Sequence, residues 1–308
     1  MKAGRLAADS ALTVIAPAIW GSTYLVTTEW LPADRPLLAS TIRALPAGLV
    51  LLAIGRSLPR GVWWWRAIVL GVLNIGAFFY LLFLAAYHLP GGVAALVIAA
   101  QPMIVLLLGA ALLRERVRTI QVGFCTLGML GVALLVLRPT AGMDTIGILA
   151  GLAGAISMAT GVVLTKHWGR PEGVGVLTFT GWQLTVGGLV LAPITLTAEG
   201  LPGHLTWTNI GGFAFLSLIG ALFAYAIWFR GIARLPALAV SMLGFGSPLS
   251  ATVLGYIVLD QSLSALQLTG AAAVVTAVML AQLRSPRAAP TPATESPTTT
   301  EPSAAKAL

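Results

Sequence analysis

Charged side chains are scarce in this sequence, and their scarcity excludes a soluble globular protein. Only 9% of the residues are charged, whereas 57% are hydrophobic and the mean hydropathy is +0.91. Soluble domains carry about 25% charged residues. The two-residue alternation of a membrane β-barrel is also missing, and backbone groups in lipid must then pair within helices. The sequence therefore predicts an all-α integral membrane protein.

Cysteine is nearly absent, and so are the motifs of catalysis. The single cysteine, Cys125, excludes a disulfide within the chain and fits a small buried apolar residue. No DDxxD, HExxH, GxSxG or phosphate-binding glycine loop occurs, and His88, His167 and His204 lie in different loops. We therefore predict no enzyme activity, no cofactor and no metal site. A lipid-modifying membrane enzyme and a membrane sensor subunit remain as minor alternatives.

Ionisable groups are missing from the middle of the apolar runs. Glu29, Glu115, Glu199 and Asp260 all stand at run ends, so a buried carboxylate for a proton relay or a Na⁺ site is lacking. We expect weak or absent ion coupling and a neutral or zwitterionic, partly aromatic or apolar substrate. A sugar phosphate is disfavoured, because a phosphate group requires at least two basic residues and Arg43 alone lies within a run.

Ten apolar runs are long enough to cross a membrane, which takes about 20 residues per helix. They lie near residues 11–29, 37–54, 67–87, 91–113, 119–137, 145–165, 174–197, 209–229, 236–258 and 265–283, after a short polar lead of residues 1–10. Fourteen of the eighteen basic residues fall on the side of the N-terminus, which predicts that both termini are cytoplasmic. The net charge of +8 is thus spread over loops at a bilayer, and no nucleic-acid partner is expected. Residues 286–308, rich in Pro and Thr, predict a disordered cytoplasmic tail.

The second half of the chain repeats the first. Residues 89–137 and 235–283 align without a gap at an offset of 146, matching Pro90 with Pro236, Pro102 with Pro248 and Gly109 with Gly255. The offset skips five spans. Because five is an odd number, the second copy crosses the membrane in the opposite direction from the first, and residues 1–139 and 140–285 form two inverted five-helix repeats. Inverted repeats are typical of transporters, in which a site between the halves is exposed to each side in turn. This pattern predicts alternating access of a small-molecule substrate to a central cavity.

Helix breakers mark the expected binding site. Pro102 and Pro248 lie mid-run, where proline removes a backbone hydrogen bond, and each follows a polar residue. We predict hinges at Pro102, Pro248, Gly244 and Gly246; a structural kink without a ligand is the alternative. The candidate substrate-binding residues are Trp20, Tyr24, Asn74, Phe78, Tyr80, Gln101, Tyr225, Trp228 and Ser247. For the aromatic residues, helix packing is the alternative.

Two further features leave alternatives open. Arg43 lies early in the second run, so we expect it to snorkel to the outer interface, with an anion contact as the alternative. The fifth and tenth runs are rich in glycine and alanine, which lets helices approach closely. They pack either within the bundle or against a second subunit, so the sequence is compatible with a monomer or a homodimer.

The sequence of residues 11–283 resembles the EamA-type members of the drug/metabolite transporter superfamily. The resemblance is carried by WGSTY in the first run, LPGGVAALVIAAQPMIVLLLGAALLRERVRTIQ, and LPALAVSMLGFGSPLSATVLGYIVLDQSLSALQLTG. It implies a bacterial inner-membrane exporter of amino acids or other small metabolites, with multidrug efflux as the alternative. Its cavity would be lined by helices three, four, eight and nine, helped by one and six. The family's glutamate after the fourth helix corresponds to Glu115, and its equivalent in the second copy is Gln261, beside Asp260.

Overall fold

The computed structural model describes residues 2–136, 144–258 and 264–284, and over these ranges the chain is helical without strands. Ten helices are long and apolar enough to span a membrane, which confirms the predicted all-helical membrane fold. They are α1 (Leu6–Trp30), α2 (Pro36–Gly55), α3 (Trp63–His88), α4 (Val93–Leu112), α5 (Thr119–Val136), α6 (Thr145–Trp168), α7 (Val176–Ala198), α8 (Trp207–Arg234), α9 (Ala237–Val258) and α10 (Ala265–Leu283). The predicted repeat boundary at 139 and 140, the residues Asp260 and Gln261, and the tail 286–308 lie outside the described residues.

The polar lead is helical rather than irregular. A helix over Lys2–Thr13 meets the helix Ile15–Trp30 at Val14. The Asp9 carboxylate accepts hydrogen bonds from Arg230 at 2.7 Å and from Arg234 at 3.3 Å, and the Ser10 hydroxyl donates to Gln282 at 2.9 Å. These contacts tie the beginning of the chain to the ends of α8 and α10. We call this face of the bundle the N-face and the opposite one the distal face.

Helices α4 and α9 are each divided in two. α4 consists of Gly91–Ile98 and Gln101–Leu112, and α9 consists of Ala237–Leu243 and Gly246–Val258. Pro102 is the second residue of its new helix and Pro248 is the third of its own. Proline suits these positions because the first turn of a helix has no acceptor for its N–H groups. The breaks therefore fall immediately before the two prolines.

Helices α3 and α8 each contain a π-helical segment that the sequence analysis did not predict. The segments are Val72–Ala77 and Leu218–Phe223, and they coincide under the 146-residue offset of the duplication. A π-helical turn disturbs the regular i to i−4 hydrogen bonds and leaves backbone groups open to other partners. Both halves of the protein thus have an irregular backbone at the same place.

Acidic residues at the span ends cap helices on the distal face. Glu199, after α7, accepts hydrogen bonds from the N–H groups of Leu37 (2.7 Å) and Leu38 (2.9 Å) at the start of α2. Asp144 accepts from the Gly147 N–H at 3.1 Å and lies 3.6 Å from His88. The Gly147 N–H holds the pKa of the Asp144 carboxyl below its usual value. These two carboxylates thus have structural partners at helix starts.

Glycines allow the closest helix contacts of the bundle. In the α5–α10 pair, a Cβ on Gly131 would lie 2.9 Å from the Gly270 carbonyl oxygen, and one on Gly270 would lie 2.6 Å from that of Gly131. α2 meets α7 in the same way, since a Cβ on Gly181 would lie 2.9 Å from the Leu51 Cβ. The small residues of α5 and α10 therefore pack against each other within one chain.

This packing predicts a position-dependent effect of added side-chain volume. Gly131→Val places three carbon atoms where the α10 backbone already lies, and we expect a loss of about 1–3 kcal/mol of stability. Gly123→Val on the same helix is the matched control, because nothing lies within 4 Å of a Cβ there. Thermal unfolding of the two purified variants in detergent checks this; equal melting temperatures would contradict the described α5–α10 contact.

Candidate functional site

A central cavity lies between the two halves of the bundle. Its volume is about 60 Å³, and its lining comes from α1, α2, α3, α4, α6, α8 and α9. The lining residues are Trp20, Thr23, Tyr24, Arg43, Phe78, Leu82, Ile98, Gln101, Met158, Trp228, Gly244 and Ser247. A recess of about 40 Å³ adjoins it, shares Tyr24, Ile98, Gln101, Gly244 and Ser247, and reaches Pro102 and Pro248.

The duplication is visible in the lining itself. Three pairs related by the 146-residue offset line the cavity: Leu82 with Trp228, Ile98 with Gly244, and Gln101 with Ser247. The equivalent rings of Phe79 and Tyr225 also meet, with centroids 5.5 Å apart. Residues equivalent in two inverted repeats come together only near the axis that relates the repeats. The cavity therefore lies on that axis, between the halves.

The cavity collects most of the predicted residues but not all. Trp20, Tyr24, Phe78, Gln101, Trp228, Ser247 and Gly244 line it, and Pro102 and Pro248 line the recess. Asn74, Tyr80, Tyr225 and Gly246 belong to neither lining. Gly246 lies instead near Val14 and Pro17 of α1, and Tyr80 is half-buried on α3. Glu115 is exposed at the N-face, beyond the end of α4.

Aromatic rings form one wall of the cavity. The centroid of Trp20 lies 4.8 Å from that of Tyr225 and 5.1 Å from that of Trp228. The Trp20 indole N–H donates to the Gly220 carbonyl in the α8 π segment at 2.9 Å, which fixes the orientation of the ring. Tyr225 is fully buried behind it. Tyr225 thus supports Trp20 and does not face the cavity itself.

Asn74 joins helices rather than facing the cavity. Its side-chain amide donates to Gln183 Oε1 of α7 at 2.8 Å and to Thr165 Oγ1 of α6 at 3.2 Å. Asn74 and Gln183 are both fully buried. A buried amide pair of this kind holds helices together in a medium without water. Asn74, a candidate substrate-binding residue from the sequence, therefore makes its side-chain contacts with α6 and α7.

Each π segment is held by side chains from the opposite half of the protein. In α8, the Gly220 carbonyl accepts from Trp20 of α1 and from Arg43 of α2 at 3.2 Å. In α3, the Leu73 carbonyl accepts from the Ser157 hydroxyl of α6 at 2.8 Å, and Asn74 binds α7. The two arrangements correspond helix by helix under the duplication. They place the central hydrogen bonds across the interface between the halves.

The prediction that Arg43 snorkels to the interface is wrong. Arg43 is 1% exposed, and its guanidinium lies 4.6 Å from the centroid of Phe79 and 5.8 Å from that of Phe83. The aromatic faces and the Gly220 carbonyl attract the cation inward. Neither contact was visible in the sequence, because Phe79 is distant in the chain and the π segment exposes the carbonyl. Arg43 lines the cavity.

Several buried donors of the cavity residues have no hydrogen-bond partner within the described part of the chain. They are the Nε and Nη1 atoms of Arg43, Nε2 of Gln101 and Nε1 of Trp228. All belong to lining residues. Buried polar groups are normally paired, so such a set indicates space for water or for a ligand that accepts hydrogen bonds.

A larger cleft opens separately at the N-face. It has a volume of about 760 Å³ and lies between the end of α6, the following loop and the ends of α7 and α8. Phe229 lines this cleft and packs against Tyr225, with centroids 5.9 Å apart. Since Tyr225 in turn packs on Trp20, these two rings separate the cleft from the cavity. Lys166, which also lines the cleft, donates to the carbonyls of Ile232 (2.7 Å) and Leu235 (2.6 Å).

Comparison with known proteins identifies relatives along nearly the whole chain. A model described as the EamA-like transporter family matches twice, at residues 10–137 and 145–283. Protein PecM of Dickeya dadantii is 49% identical over 87% of this chain and 90% of its own length. A probable amino-acid metabolite efflux pump of Salmonella typhimurium is 25% identical over 87% of this chain and 92% of its own. A solved crystal structure with 20% identity superimposes with a TM-score of 0.74, covering 90% of this chain and 98% of the other, and has the same fold.

The amide pair of Asn74 and Gln183 predicts non-additive stability. We expect Asn74→Leu and Gln183→Leu each to cost about 0.5–2 kcal/mol, because each removes the buried hydrogen bond between the two amides and leaves the remaining amide without that partner. The double variant should lose less stability than the two single variants together, since neither amide of the pair then remains without its partner. Chemical denaturation of the four proteins measures this; additive losses would contradict the described hydrogen bond.

Proposed function

This chain belongs to the EamA-like transporter family of the drug/metabolite transporter superfamily, and on that premise we propose that it exports amino acids or similar small neutral or zwitterionic metabolites across the bacterial inner membrane. The mechanism is alternating access through the central cavity. The observation that carries the proposal is the position of this cavity between the halves, lined by repeat-equivalent pairs. The efflux pump named among the relatives supports the substrate class.

The distribution of charge supports the orientation that export requires. The N-face carries most of the basic residues, and the positive-inside rule places such a face in the cytoplasm. Both termini are then cytoplasmic, and the 760 Å³ cleft opens toward the cytoplasm. A solute leaving the cell would enter there and pass the ring of Tyr225 to reach Trp20.

The size of the cavity implies that the substrate enters only after a conformational change. A cavity of about 150 Å³ is needed to hold benzene, whereas the central cavity measures about 60 Å³. The halves of α4 and α9 meet at its wall, at Ile98–Gln101 and Gly244–Ser247. We propose that Pro102 and Pro248, with Gly244 and Gly246, let these half-helices swing apart and enlarge the cavity.

An efflux screen tests the proposal. The protein is expressed in a host without its own exporters, and the intracellular loss of amino acids and aromatic metabolites is followed. We expect the wild-type protein to speed the loss of one class of these compounds. Gln101→Ala and Trp20→Ala should slow this export at least about tenfold, because both residues line the cavity. Trp207→Ala is the matched control, since Trp207 is 88% exposed at the start of α8.

The outcomes separate the function from its site. Export by wild type that the cavity variants retain, with all proteins present at equal levels in the membrane, would show that another surface binds the solute. No export of any panel member by folded wild-type protein would contradict the proposed substrate class. Export in proteoliposomes that strictly requires a pH gradient would contradict the expected lack of ion coupling.

The hinge proposal leads to a separate kinetic expectation. Pro248→Ala restores a backbone donor next to the α9 break and favours a continuous helix. Export should slow by at least about threefold, with little change in apparent affinity, because the substrate contacts remain while the opening step is impeded. Pro193→Ala in the unbroken helix α7 is the control. Equal export rates for the two variants would show that α9 does not act as a hinge.

A further inference from the structure

Arg43 is a buried cation that has no counterion among the residues the structure describes. Its side chain is 1% exposed, and its Nη2 atom donates to the Gly220 carbonyl, while Nε and Nη1 have no partner. The rings of Phe79 and Phe83 compensate part of the lost hydration. They do so without offering an acceptor for the two remaining donor atoms. Two donor atoms of the guanidinium, Nε and Nη1, therefore remain available to a ligand.

No carboxylate of the described residues serves this cation. Among them, the carboxylates of Asp9, Asp144 and Glu199 are occupied at the two faces of the bundle. The remaining acidic side chains described, Glu29, Asp34, Glu115 and Glu172, are exposed or lie in loops. A buried charge normally has an ionic partner, because leaving it unpaired is strongly destabilising. A negative group on a bound ligand would supply that partner.

The neighbouring lining residues favour the same ligand chemistry. The amide of Gln101 and the indole N–H of Trp228 are further unpaired donors on the cavity wall. Donors from three helices, one of them charged, thus surround a single small space. We propose that Arg43 binds the carboxylate of the transported solute through its unpaired guanidinium donors, and that Trp20, Phe78 and Trp228 hold an apolar or aromatic body beside it.

This inference rests on the proposed function and narrows it from small metabolites in general to carboxylates. A cationic N–H donor makes a short, strong hydrogen bond to a carboxylate oxygen. A phosphate dianion is a poorer fit, because among the described residues Arg43 is the one basic side chain that lines the cavity. The rings of Trp20 and Trp228 approach to 5.1 Å and form the apolar wall.

Three probes of similar shape test the inference by binding. L-Phenylalanine and 3-phenylpropionate carry the carboxylate, with and without an amine, and L-phenylalaninamide carries the amine alone. Binding to the purified full-length protein is followed by quenching of tryptophan fluorescence, because two tryptophans line the cavity. We expect both carboxylates to bind at least about tenfold more tightly than the amide, as for a charged hydrogen bond.

Variants assign the discrimination to Arg43. Arg43→Gln should weaken both carboxylates about tenfold and leave the amide unchanged, while Arg43→Lys should retain part of the preference, since it keeps the charge and loses the fork. Arg66→Gln is the matched control: Arg66 also stacks on aromatic rings, those of Trp63, Trp65 and Trp168, but outside the cavity. A preference for carboxylates that survives Arg43→Gln would overturn the inference.

The wild-type measurement decides even where an Arg43 variant fails to fold. Equal binding of the amide and the acids, or no binding of any probe, would overturn the inference. Carboxylate-selective binding without efflux of any acid would leave the Arg43 site standing and remove the exporter function. Efflux of phenylalaninamide as fast as that of phenylalanine would leave the exporter function standing and contradict the Arg43 site.

Discussion

Backbone groups inside a lipid bilayer have no water to bind, and this constraint organises the whole protein. Regular helices satisfy it along most of the chain, and irregular backbone is tolerated only where protein surrounds it. The π segments Val72–Ala77 and Leu218–Phe223 each turn a buried face toward the rest of the bundle, with Asn74 in one and Gly220 in the other. Their freed carbonyls are satisfied by side chains from the other half, such as Trp20 and Ser157. The irregularities therefore join the two halves.

The two halves use equivalent positions for different purposes. Asn74 and Gly220 coincide under the duplication, yet Asn74 binds through its side chain, whereas Gly220 offers a carbonyl to Trp20 and Arg43. A glycine here leaves space beside the guanidinium, which a second asparagine would fill; a Cβ on Gly220 would already lie 3.8 Å from Arg43. The site is thus symmetric in its backbone and asymmetric in its chemistry, as recognition of an asymmetric solute requires.

Rigid and loosened contacts are also separated within the bundle. α5 with α10 and α2 with α7 meet through glycines at backbone distance, and such close packing leaves little freedom to move. α4 and α9 are broken beside the cavity and before their prolines. A transporter needs a rigid frame against which the gating elements move. In the proposed mechanism the close-packed pairs form the frame, and the broken helices α4 and α9 are the elements that move.

The sequence by itself determined the helical membrane fold, its ten spans and, as substrate-binding candidates, six of the twelve residues that line the cavity. Apolar runs of sufficient length must be helices in lipid, and a duplication with an odd number of spans must be inverted, so these features follow from chain order alone. Trp20, Gln101 and Ser247 could be predicted from the sequence in the same way, because polar or aromatic residues in mid-span must face protein or solvent. The tertiary structure decided which helices pack against each other and which of their residues lie at the same depth in the membrane, because the order of residues along the chain does not specify these contacts. It moved Asn74 into an amide pair with Gln183 and Tyr225 behind Trp20. It also drew Arg43 inward, because Gly220 and Phe79, remote in the sequence, supply a carbonyl and an aromatic face at that point in space.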